Sequence, residues 1–188
     1  PFIRQGITSF IAGNCGLSAV GFESESEHVD KVGGGLFSFT DTTGTYPTVA
    51  EFFSAIDNNT PCNIAVLAGH CTARASVAGY ENRVLTESER KKMLAIMEEA
   101  IKDGACGLSL GLMYEPGIYA GIDELKDVAR LCEKYDRPMT VHPRACSAVS
   151  MTYPLLGRPH LLRALDELVE IASGTKMKLH YSHAIFVG

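Results

Sequence analysis

Pro138-Met139-Thr140-Val141-His142 is a short apolar run that opens on a proline and closes on a histidine. The pattern has relatives along the chain. Met177-Lys178-Leu179-His180-Tyr181-Ser182-His183 follows it, and residues 7–12, 63–68 and 105–110 precede it. Runs of this length, bounded by Gly, Pro or Asn, suit strands buried on both faces of a parallel sheet.

Helical patterns separate the runs. Thr86-Glu87-Ser88-Glu89 is a capping box, in which the Thr hydroxyl caps a free amide and the Glu side chain reaches back. It opens a helix whose apolar positions are Met93, Leu94, Ile96, Met97, Ala100 and Ile101 and which stops at Gly104. A second helix is predicted over 123–135, burying Leu125, Val128, Ala129, Leu131 and Cys132. A third begins near Pro159, a favoured first-turn residue, and ends at Ser173-Gly174. Its apolar set is Leu161, Leu162, Leu165, Leu168, Val169 and Ile171. A weaker fourth covers 49–56. The first interval between strands is lengthened by an insertion at about 21–46, rich in Gly, Ser, Thr and Phe. It is read as an active-site lid or flap, or else as a plain excursion of the chain.

Alternating strands and helices make either an open doubly wound sheet or a barrel. No GxGxxG follows a strand and there is no P-loop, which removes support from the nucleotide-binding version. In a barrel the functional groups sit at the C-terminal ends of the strands. Cys15, His70, Tyr114, His142 and His183 each fall at or just after such an end. The expected class is therefore α/β, a partial (β/α)8 TIM-type barrel, because five strands cannot close one.

Bulk properties exclude other classes. A formal net charge of −5, with basic residues scattered, gives no nucleic-acid partner. No apolar stretch approaches the roughly 20 residues that span a bilayer. The six cysteines form no CxxC pair, and Cys62, Cys106, Cys132 and Cys146 sit in or beside predicted elements like small hydrophobes. That usage suits a reducing, cytoplasmic location. Pro1 to Gln5 reads like the end of a helix already under way, and 180–188 run off a strand with nothing following. Both ends read as cut, so the chain is expected to be part of a longer protein.

His142 and His183 end strands one βα unit apart, which would make their imidazoles neighbours at one barrel mouth. Neutral imidazoles so placed suit zinc or a similar borderline ion. A single strand-end histidine is commonly a hydrogen-bonded structural residue; two on adjacent strands make a ligand pair an equal reading. Cys15, in Ala-Gly-Asn-Cys-Gly after the first strand, would present its sulfur to the same mouth, where a metal would hold it as thiolate. A buried small side chain at a turn is the other reading of it.

Three segments carry a family resemblance: Gly-Ile-Thr-Ser-Phe-Ile-Ala-Gly-Asn-Cys-Gly-Leu-Ser at 6–18, Leu-Ala-Gly-His-Cys-Thr-Ala-Arg at 67–74, and Gly-Ala-Cys-Gly-Leu-Ser-Leu-Gly-Leu-Met-Tyr-Glu-Pro-Gly-Ile-Tyr-Ala at 104–120. Together they resemble the D-aminoacylase (N-acyl-D-amino-acid deacylase) branch of the amidohydrolase superfamily. The resemblance covers nearly the whole chain outside 21–46.

What the resemblance implies is specific. Residues 1–188 would be the central part of an amidohydrolase catalytic barrel, about strands two to six of eight. Cys15, His142 and His183 would be metal ligands. Cys15 would take the bridging role that a carboxylated lysine plays in many other amidohydrolases, and the strand at 105–110 indeed offers only Ser109. The cofactor would be zinc, one or two ions, and the substrate a small N-acyl amino acid or similar amide. An His-x-His pair on the first strand and a catalytic Asp on the last would lie outside this chain, leaving no catalytic residue within it. His70 and Arg74 match a family signature and could bind a substrate carboxylate or be structural. Tyr114 and Arg144 join them as candidate substrate-binding residues. Pro143-Arg144-Ala145-Cys146 and Ile185 depart from the family's usual residues beside the two histidines and put D-amino-acid specificity in doubt. Two other readings remain: a cyclic-amide hydrolase of the dihydroorotase or hydantoinase sort, for which a bridging lysine would be expected at 105–110, and a non-catalytic barrel scaffold.

Overall fold

The computed structural model describes residues 2–32 and 46–184. Five strands, β1 (Ser9–Ala12), β2 (Asn63–Gly69), β3 (Gly107–Gly111), β4 (Met139–His142) and β5 (Leu179–Tyr181), pair in chain order. Every pairing is parallel, and the sheet curls into part of a barrel. Helices α1 (Val49–Ile56), α2 (His70–Ala78), α3 (Glu87–Lys102), α4 (Ile122–Lys134) and α5 (His160–Ala172) complete the described regular elements, apart from short 3-10 turns. One of those turns, Ile3–Gln5, stands where a helix end was expected.

The register decides which residues can meet. Gly69 pairs with Ser109, Gly111 with His142, and Val141 with Tyr181, which brings the C-terminal ends of the strands to one rim. Side chains alternate across a strand. Leu108, Leu110, Met139 and Val141 pack with Met93, Met97, Leu125, Val128, Leu168 and Ile171 of the helices. Ser109, Thr140 and His142 therefore turn the other way, into the curl of the sheet.

Local signals place most helix ends. The capping box at Thr86 is formed, with both the Thr86 and Glu89 halves present, and a second one at Thr48 opens α1. Pro159 is the residue before the first turn of α5. Val169, expected to be buried, is exposed at 71%; of the expected set Leu168 and Ile171 are buried, together with His160 and Ala164. The periodic reading missed α2 altogether. Eight of its nine residues are buried, so it has no polar face to give it a period.

The insertion is described only through residue 32; residues 33–45 and Ile185 lie outside the described residues. The described part lies on the helix layer. Glu23 N–H donates to Ser76 Oγ (3.1 Å), Lys92 pairs with Glu23 (3.0 Å), and Phe22 and Val32 are buried.

Candidate metal centre

The turn after β1 descends onto the ends of β2 and β3 through glycines. A Cβ on Gly111 would stand 1.9 Å from the Cys15 carbonyl oxygen, and one on Gly69 would stand 2.4 Å from that of Gly16. Only backbone without side chains permits such an approach. The turn is also fastened through Ser109, whose hydroxyl donates to the Gly13 carbonyl and accepts from Gly16 N–H (3.1 Å). Thr72 N–H donates to the Gly16 carbonyl from the first turn of α2 (3.2 Å).

This seating sets the thiol of Cys15 over the ends of β4 and β5. Its Sγ lies 3.0 Å from His183 Nε2 and 3.9 Å from His142 Nδ1. One ligand atom from each of the three residues lies within 4.8 Å of the others. The backbone is held in an uncommon state to do this. Among the described residues four that are not glycine have positive φ, and two of them are Cys15 (60°) and His183 (49°); the others are Asn58 and Asp136, residue types that tolerate it. A left-handed Cys or His costs on the order of 1–3 kcal/mol and persists where surrounding structure imposes it.

The donor set fits a tetrahedral borderline ion. Ligands at zinc–sulfur and zinc–nitrogen bond lengths sit about 3.5 Å apart around a tetrahedron, between the two sulfur–nitrogen distances found here. The Nε2 of His142 is buried with no hydrogen-bond partner among the described residues. Burial, reinforced by the charge His183 would carry, pushes His142 down from its ordinary 6.5 to about 4, which keeps it neutral with a lone pair to give. Burial pushes the Cys15 thiol up, so a nearby cation is what would make it a thiolate. Among the described residues the group contains no carboxylate.

Tyr114 borders the group. Its hydroxyl is 3.4 Å from His142 Nδ1 and the two rings are 4.7 Å apart. Burial, chiefly, raises its pKa and keeps it an O–H donor.

The other candidate residues are elsewhere. His70 and Arg74 are fully buried, and both bind Glu124 Oε1 of α4, His70 Nε2 at 2.7 Å and Arg74 Nε at 3.0 Å. Arg74 also donates to the Arg83 carbonyl (2.7 Å). The pair holds α2 against α4 and does not reach the cysteine–histidine group. Arg144 is buried too: its Nε donates to Glu167 (3.0 Å), and its two Nη groups donate to the Ile118 and Ala120 carbonyls (2.6 and 3.2 Å). Glu124 and Glu167 escaped sequence reading, because a glutamate on an amphipathic helix ordinarily marks the solvent face.

No family model matches the chain. Among curated proteins it is similar to an N-acyl-D-aspartate deacylase of Alcaligenes xylosoxydans xylosoxydans, 29% identical over all of this chain and 35% of that one. It is also similar to a D-aminoacylase of the same organism, 28% identical over all of this chain and 36% of that one. Among solved structures, an N-acyl-D-glutamate deacylase from Bordetella bronchiseptica, complexed with zinc and a phosphonate mimic of the tetrahedral intermediate, superposes with TM-score 0.78. That match is 27% identical and covers 95% of this chain and 34% of that one. The chain thus spans about a third of the length of these relatives, and in sequence and fold it is similar to the D-aminoacylase branch of the amidohydrolases.

Proposed function

We propose that residues 1–188 form the central part of a catalytic barrel, about strands two to six of eight, in a zinc-dependent hydrolase of linear amides that acts on N-acyl amino acids. The observation that carries this is the convergence of Cys15, His142 and His183 at the ends of three strands. Its support is the likeness to deacylases over the whole chain. One or two zinc ions in the intact protein follow from the same likeness.

The residues have distinct tasks. Cys15 supplies the anionic ligand, and His142 and His183 supply neutral ones. A zinc ion held by these three residues would supply Lewis-acid chemistry toward an amide carbonyl and would acidify water. Tyr114, protonated and at the edge of the group, donates a hydrogen bond to the substrate. The acid–base carboxylate expected from the resemblance is not part of the described group and has to come from another strand of the intact barrel. His70, Arg74 and Arg144 are already occupied by Glu124, Glu167 and backbone carbonyls, so they serve the scaffold and not the substrate.

The cyclic-amide reading has less behind it. A bridging lysine would be expected on β3, and its inward residue is Ser109, engaged by the Cys15 turn. No helix among the described residues is long and apolar enough to cross a membrane. All six cysteines are unpaired, which supports a reducing, cytoplasmic location.

The test is a screen of N-acyl D- and L-amino acids on the intact protein. The expected result is release of the free amino acid, abolished by chelation and restored by zinc. Turnover of ring amides with none of the linear substrates overturns the reading.

A further inference from the structure

Ser109 lies in the middle of β3 with no exposed surface. Its hydroxyl donates to the Gly13 carbonyl and accepts from Gly16 N–H (3.1 Å). Those two groups flank Asn14 and Cys15, so one hydroxyl clasps both ends of the turn that carries the thiol. Cys15 sits in a left-handed conformation within the clasp, a state that needs outside support. Asn14 ties the turn only locally among the described residues: its carbonyl accepts from Leu17 N–H (3.2 Å), and its exposed side chain reaches the Ile11 carbonyl at 3.4 Å. β3 also pairs with β4 so that Ser109 stands beside Thr140 and Gly111 beside His142. The same strand therefore fixes the cysteine turn and one histidine relative to each other.

We propose that Ser109 is the positioning residue for Cys15: by bridging Gly13 and Gly16 it holds the turn in the one conformation that aims Sγ at His142 and His183. This rests on the reading of Cys15 as a metal ligand. The position that would carry a bridging lysine in the cyclic-amide reading here holds the replacement ligand in place.

The experiment uses the intact protein with cobalt(II) as probe, reading both the affinity against a competing chelator and the sulfur-to-cobalt charge-transfer absorption. Ser109→Ala is expected to weaken cobalt binding by about 10–100-fold, the range typical of groups that orient a metal ligand, and to diminish the sulfur band. Cys15→Ala is expected to abolish that band. The double variant Cys15→Ala/Ser109→Ala should bind no more weakly than Cys15→Ala alone, because Ser109 acts only through the thiol. Wild-type affinity and band in folded Ser109→Ala, or additive losses in the double variant, overturn the proposal while leaving Cys15 a ligand. An unchanged band in Cys15→Ala overturns the metal-ligand reading itself. Should Ser109→Ala fail to fold, Ser109→Thr, which keeps the hydroxyl, is expected to retain the wild-type affinity and sulfur band, and their loss in that folded variant overturns the proposal.

Discussion

Two groups of three polar side chains lie beyond the C-terminal ends of the strands, and they are built in opposite ways. His70, Arg74 and Glu124 are sealed between α2 and α4, and positive and negative partners sit together at 2.7 and 3.0 Å. Cys15, His142 and His183 converge at the barrel mouth, among the described residues without a carboxylate. The first group pairs its carboxylate with side chains inside the fold. The second gathers lone pairs that have no protein cation to meet. A histidine in one pairs with a carboxylate and in the other is a proposed ligand, and the counter-charge distinguishes them better than burial does.

The contrast can be broken from either side. Glu124→Ala leaves a buried arginine unpaired and is expected to cost about 3–5 kcal/mol of stability, measured by urea unfolding, with zinc affinity of the folded protein unchanged. A large loss of zinc affinity would mean that the two groups are coupled. Cys15→Ala should do the reverse. Zinc affinity should fall by more than about 100-fold, the upper range for outer-shell changes, while the metal-free protein unfolds at nearly the wild-type urea concentration. Metal analysis after dialysis checks the first half of that prediction.

Acid sharpens the same comparison. Burial pushes the Glu124 carboxyl up, but the hydrogen bond and charge of His70, together with those of Arg74, outweigh it and hold the carboxyl below the ordinary 4.5. Its contribution to stability is complete above that value and is lost as pH falls below it, because the unfolded chain takes up the proton first. Metal-free wild type should therefore weaken below pH 4.5 more steeply than Glu124→Gln, followed by circular dichroism. The smallest effect is expected for Tyr114→Phe. Losing one neutral hydrogen bond, worth about 0.5–1.5 kcal/mol, should raise KM for an N-acyl amino acid by up to about tenfold and leave zinc content alone.

Legibility in the sequence followed the range of the interactions. Thr86 and Glu89 are three residues apart, and their capping box was readable and is present. The apolar set of α4 was readable because an amphipathic helix repeats its signal every turn; all five expected residues are buried. The strands were found with ends displaced by a residue or two, since β3 starts only where the ladder to β2 does, at Gly107. What stayed hidden depends on distant partners. Nothing near Ser109 announces Gly13 or Gly16, and nothing near Glu124 announces His70 and Arg74. Helix α2 was invisible for a different reason: covered on nearly every side, it shows no alternation of polar and apolar faces.

Cys15 is 127 positions before His142 and 168 before His183. A chain made from its N-terminus at about 5–20 residues per second therefore carries the thiol for several seconds before the second imidazole exists. During that interval no three-donor site is available, and the three ends are brought together only when β5 docks at the end of the sheet. Such long-range closure is slow to form. With Cys15, His142 and His183 as the proposed ligands, metal uptake would come late in biogenesis and report that the fifth strand is in place.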